Sequence, residues 1–167
     1  PGSEGEEKTV SYLRDQFQRL GLQPGNNGSY FQTVPMIETT ADIARTSMSL
    51  KVGDKVNPMK FGDDMVIGTR RGVADVHIGN APVVFVGYGV NAPEANWNDY
   101  AGIDVKGKVV VMFINDPGFH SGDPSLFEGR RMTYYGRWTY KFEEAARQGA
   151  AAAIIIHDTP GAAYGWD

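Results

Sequence analysis

Cysteine is absent from the 167 residues, which removes disulfides and thiolate metal sites and leaves the compartment open. Histidine is scarce. His77, His120 and His157 stand far apart, none in an HxD or HExxH arrangement. A two-metal hydrolytic site draws on several histidines and carboxylates plus a basic glutamate, so no such ligand set is legible. No GxSxG nucleophile elbow occurs, and no internal repeat. No apolar run nears the roughly 20 residues that span a bilayer; the longest, Ala150 to Ile156, has strand length. A basic surplus is missing too. The net charge is −4, the wrong balance for a nucleic-acid partner. An initiator methionine, a signal-peptide pattern and a polar tail after Trp166-Asp167 are also lacking, so a piece of a longer protein is expected.

What is present suits one compact domain with a short appendage. Hydrophobic residues make up 41% and charged residues 22%, a globular balance. Ser3 and Glu6 form a capping box. Val10, Leu13, Phe17 and Leu20 follow at helical spacing and Gly21 closes the run, predicting an amphipathic helix over 3–20. Strand texture takes over in 31–37, 47–52, 75–78, 82–90 and 108–114. The last run is continuously apolar, which predicts burial on both faces. A second helix is expected over 140–148, with Phe142, Ala145 and Ala146 as its apolar positions, then a strand over 150–156. That final strand–loop–helix–strand unit resembles a right-handed crossover.

Two phosphate-binding patterns fail on context. Gly87-Tyr88-Gly89-Val90-Asn91-Ala92 fits GxGxxA, but Pro93 and a turn-rich stretch follow where a helix N-terminus would have to meet a pyrophosphate. Gly102 to Val109 approaches a P-loop, yet its eighth position is Val109 rather than Ser or Thr, and a strand follows. Asp116, His120 and Asp123 offer at most a loose trio for an adventitious cation. His157 abuts an apolar strand, where a hydrogen bond at the strand end is expected rather than ligation. Glu143 and Glu144 are adjacent on a helix and diverge, which reads as a solvated face.

The densest functional composition lies in 126–140. Arg130, Arg131, Tyr134, Tyr135, Arg137 and Trp138 fall there, and arginine with large aromatics is the make-up of contact surfaces. Gly129 and Gly136 supply bends. Arg130, Arg131, Arg137 and Lys141 form the nearest thing to a basic cluster. Trp138 and Tyr140 are equally suited to a core.

Several segments in order then resemble a known family. Val84 to Val90, Trp97-Asn98-Asp99-Tyr100 and Asp104 to Val111 resemble the front half of a protease-associated (PA) domain. Tyr134 to Arg137, Lys141 to Ala146, Gly149-Ala150 and Ile154 to Ile156 resemble its second half. Order and spacing are similar to the PA domains inserted in co-catalytic zinc aminopeptidases, the group of glutamate carboxypeptidase and transferrin receptor. The resemblance implies a mixed α/β fold, a swivelling β/β/α sandwich, with an N-terminal amphipathic helix. It implies residues 1–38 as the flanking peptidase segment (helix 3–20 plus a strand) and 39–167 as the PA domain. It further implies a non-catalytic, substrate-guiding lid of a secreted or periplasmic enzyme. The chain itself would be inactive and without a cofactor, its catalytic residues none and its metal ligands none. Zinc would belong to the catalytic peptidase domain, which would be its partner along with peptide substrate. An arginine that helps bind substrate carboxylate in the glutamate carboxypeptidase branch aligns with Tyr134, so recognition of an acidic C-terminal residue is not expected. The alternative is a free-standing protein- or peptide-interaction module. A small hydrolase has no supporting motif.

Overall fold

The computed structural model describes residues 2–166. They fall into two compact units, Pro1–Ala74 and Asp75–Asp167. This division lies further along the chain than the break after Glu38 expected above. The fold is mixed α/β with the N-terminal helix in place.

In the first unit, α1 (Glu4–Arg19) starts where the Ser3 side chain accepts from the Glu6 amide. Gly21, with φ of 74°, ends it. Glu4, Glu6 and Glu7 occupy the first turn and Arg19 the last, matching the helix dipole. None of its residues is buried. A single 3-10 turn (Ile43–Arg45), capped by Asp42, precedes a hairpin of β1 (Met48–Val52) and β2 (Lys55–Met59). Val52 pairs with Lys55 across Gly53-Asp54. Gly53 has φ of 58°, at the first loop position, where a two-residue type II′ turn calls for glycine. The expected strand over 31–37 does not form: Pro35 has no N–H to donate, and no strand pairs with the segment among the described residues.

In the second unit a parallel sheet runs in the order β3 (Val83–Phe85), β6 (Val109–Phe113), β7 (Ala152–Ile156). Between β3 and β6 sits a small hairpin, β4 (Asn91–Ala92) with β5 (Trp97–Asn98). A short α2 (Gly118–Ser121) follows β6, then α3 (Trp138–Arg147) and, after β7, α4 (Thr159–Ala162). The strand expected at 75–78 is absent. The one expected over 82–90 stops at Phe85, where the chain turns through Gly87 (φ 55°) and Gly89 (φ 63°).

Helix α3 crosses from β6 to β7 and covers one sheet face. Val86, Val110, Met112 and Ala145 are packed there with Tyr100 and Val105. The opposite face is not closed: Val83, Phe85, Phe113 and Ile156 are exposed. Burial of 108–114 on both faces is therefore corrected to burial on one. The inward side of α3 also differs from expectation. It is Tyr140, Lys141, Glu144 and Ala145, while Phe142 is 42% exposed.

Candidate functional site

Two carboxylates, one half-buried and one fully buried, organise the carboxyl end of the parallel sheet. Asp99 is the first. Its Oδ2 accepts from the amides of Tyr88 (3.1 Å) and Val90 (3.0 Å), and its Oδ1 from the Trp97 indole (2.9 Å). The Gly87-Tyr88-Gly89 turn therefore wraps a carboxylate of its own chain. A Cβ on Gly89 would lie 2.6 Å from the Met112 sulfur, so glycine here serves backbone geometry and close packing. At the near-P-loop, Gly107 (φ 70°) turns the chain into β6, its amide bonded to the Gly149 carbonyl.

The second is Asp116, just past β6 and fully buried. Its Oδ2 accepts from the amide and the hydroxyl of Thr133, each at 2.9 Å, while its Oδ1 has no hydrogen-bond partner. That pair fastens the 126–140 segment to the sheet. Two glycines reinforce the seam. A methyl at Gly118 would sit 1.8 Å from the Leu126 carbonyl oxygen, and one at Gly136 would sit 3.1 Å from the Asn115 Cα.

Around these anchors the six candidate residues separate. Arg130 and Arg131 are exposed, and Arg131 pairs loosely with Glu128 at 3.3 Å in the open. Such a pair adds little stability. Tyr134, 57% exposed, donates its hydroxyl to Glu143 at 3.1 Å, a bond that raises its pKa. Tyr135 turns inward. Its ring packs against Phe127 and Tyr140, and its hydroxyl donates to Glu94, which together with burial pushes its pKa up to about 12. Arg137 is the exposed N-cap residue of α3. Trp138 opens α3 and meets Tyr164 at 6.3 Å between ring centroids. The segment thus presents Arg130, Arg131, Tyr134 and Arg137 to solvent, while Tyr135 belongs to the aromatic cluster with Val90, Ala92 and Tyr140.

Charges on α3 depart most from expectation. Lys141 is no part of a surface basic cluster. It is fully buried, donates to the Tyr88 carbonyl, and burial pushes its pKa down to about 8 against the pull of Asp116 and Asp99. Glu144 is not on a solvated face but 4% exposed. Burial opposes its ionisation, yet bonds from Gln148, Arg147 and Asn91 outweigh that and hold its pKa below the usual value. Sequence reasoning missed both because lysine and glutamate count as surface residues. Their place beside Tyr140, at positions i+1 and i+4, was the available signal.

Of the histidines, His120 pairs with Asp158 (Nε2 to Oδ2, 2.8 Å), and His157 Nε2 bonds the Tyr164 carbonyl at 3.1 Å, the strand-end bond expected. Asp123 is occupied with Ser125. Asp116, His120 and Asp123 are each turned to a different partner. Among the described residues no group of three or more His, Cys, Asp or Glu is placed to hold a metal ion. No described helix is long and apolar enough to cross a membrane. A cavity of about 290 Å³ lies at the carboxyl ends of the strands, lined by Tyr88, Phe113, His120, Ile156, His157 and Asp158.

Compared with known families, residues 79–167 match the one described as PA domain. No curated protein and no solved structure matches the chain.

Proposed function

The chain belongs to the PA domain family, and from that premise we propose that it guides peptide substrate for a secreted zinc aminopeptidase and breaks no bond itself. PA domains are protease-associated modules that accompany peptidase catalytic domains, so the catalytic partner is a peptidase. The zinc would sit in that partner. The observation that carries the reading is the 126–140 segment. Asp116 and two glycines hold its base firmly, and Arg130, Arg131 and Tyr134 are exposed on its outer side. A fixed base with exposed guanidinium and phenol groups favours contacts to a peptide backbone and its carboxylates, at a small entropic cost per contact.

In the intact enzyme, Arg130→Ala, Arg131→Ala and Tyr134→Ala should each lower kcat/KM on peptides, by about 1–3 kcal/mol of transition-state stabilisation if the lost contact is a hydrogen bond to charge. Melting temperatures should not move, because none of the three is buried. Wild-type kinetics in all three variants would remove the segment from the reaction. The alternative reading, a free-standing interaction module, draws on the exposed stripe of α1. Calorimetric titration of the chain with peptides and with the catalytic portion separates the two: tight binding to the catalytic portion supports guidance, and binding to peptides alone supports the module.

A further inference from the structure

The cavity at the carboxyl ends of β3, β6 and β7 is separate from the exposed arginines, and its polar lining has a definite sense. His157 Nε2 lies 3.1 Å from a carbonyl oxygen, which only accepts, so that nitrogen carries the proton. His120 Nε2 lies 2.8 Å from the Asp158 carboxylate and is protonated for the same reason. In the neutral form of each imidazole, Nδ1 is then an acceptor. Asp158 spends Oδ2 on His120 and on the Gly161 amide (3.0 Å), and its side chain keeps 27% of its surface. Its Oδ1 remains an acceptor. The other walls are the rings of Tyr88 and Phe113, 5.8 Å apart between centroids, and the Ile156 side chain.

The surrounding charge has the matching sign. Asp158, Asp116 and Asp99 all act on Tyr88 to raise its pKa, after the larger effect of burial. The cation facing the same residue is Lys141, which is buried against the Tyr88 carbonyl. A pocket of acceptors, aromatic rings and net negative surroundings favours a ligand that brings donors and positive charge on an apolar body. Crevices beyond the carboxyl ends of parallel strands are also where open α/β sheets receive ligands.

We propose that the cavity formed by Tyr88, Phe113, His120, Ile156, His157 and Asp158 binds a primary ammonium group carried on an apolar stem. Two sources share that chemistry: the free amino terminus of a peptide and a lysine side chain. The site does not depend on the peptide-guiding role of the 126–140 segment, and its failure would leave that role untouched.

The test is a titration of the chain followed by NMR of the His120 and His157 ring signals, with three probes. Leucinamide carries an α-ammonium, N-acetyl-lysinamide a side-chain ammonium, and N-acetyl-leucinamide the apolar body alone. At least one ammonium probe should saturate with a Kd in the millimolar range, about 1–10 mM, and the uncharged probe should not. Preference for leucinamide identifies the peptide terminus; preference for N-acetyl-lysinamide identifies the side chain. Asp158→Asn and Asp158→Ser both keep an acceptor to cap α4 and remove the charge. Each should weaken the ammonium probes about tenfold, with amide spectra showing an intact fold. Equal binding of the uncharged probe, no loss in either folded variant, or no saturation up to about 100 mM would overturn the proposal.

Discussion

From Asp75 onward the chain buries Val86, Val90, Ala92, Tyr100, Val105, Val110, Met112, Ile114, Tyr140 and Ala145; in residues 2–74 Met65 is the one buried hydrophobic residue among those described. Apolar residues are not scarce in the first unit. Leu13, Phe17, Val34, Ile37, Val56 and Val66 are simply exposed. The difference lies in what faces them. A three-stranded parallel sheet with a crossover helix presents two surfaces to each other, and burial follows. A lone helix and a two-stranded hairpin have no such opposite surface, and both are marginal in water by themselves. Hydrophobicity supplies the driving force; only topology supplies something to bury against.

Amide hydrogen exchange should show that contrast at its largest. Residues 4–19 should exchange close to the intrinsic rate, because α1 rests on a cap, local charge pairs such as Lys8 with Glu4 (2.6 Å) and nothing buried. Val109 to Phe113 should exchange only through global opening, slower by a factor on the order of 1,000 or more. Equal protection in a sample shown to be monomeric would show that α1 is supported as firmly as β6, and the comparison would fall.

Truncation in the two units comes next in size. Met112→Ala removes a fully buried side chain and should cost about 2–5 kcal/mol. Phe17→Ala, at a residue 42% exposed, should change stability by about 0.5 kcal/mol or less. Urea melts of both variants measure this, and similar costs would contradict the contrast.

The smallest expected effect concerns pH. Folded Lys141 has a pKa of about 8, below its ordinary 10.5, so the unfolded chain binds the extra proton between those values. Stability should therefore rise with pH from about 8 towards 10.5, by ~1–2 kcal/mol between pH 7.5 and 9.5. Above pH 10 the raised pKa values of Tyr88, Tyr134, Tyr135 and Tyr140 act the other way, since unfolded phenols lose their protons first. Lys141→Met should flatten the rising limb. A rise of the same size in that variant would assign it to some other group.

Periodicity and punctuation made α1, β6, α3 and β7 readable, because each is a local pattern closed by glycine or turn residues. The segments 31–37 and 75–78 have equally strand-like composition, yet a strand exists only where a partner accepts its hydrogen bonds, and no local sequence reports that. The Trp97-Asn98-Asp99-Tyr100 motif was visible, but the role of Asp99 under the Gly87-Tyr88-Gly89 turn needed the fold. At the site, the outward stance of Arg130 and Arg131 agrees with their residue types. The inward stance of Tyr135 and Lys141 rests on contacts with Phe127, Tyr140 and the Tyr88 carbonyl, made by residues distant in sequence or by helix packing.

Gly118 gives the 126–140 segment an unusual kind of modularity. A bare backbone under Leu126, where a methyl would come within 1.8 Å of a carbonyl oxygen, means that part of the seat of the loop is encoded outside the loop. Its exposed positions are free to be rewritten, residue by residue or as a graft, while Gly118, Asp116 and Thr133 hold the joint. Any enlargement at Gly118 would do the reverse, leaving each exposed side chain intact and shifting them all together. Under the proposed guiding role, specificity would drift at the tip of such a segment and be lost at its joint, and a library built to retarget it should vary the first and leave the second alone.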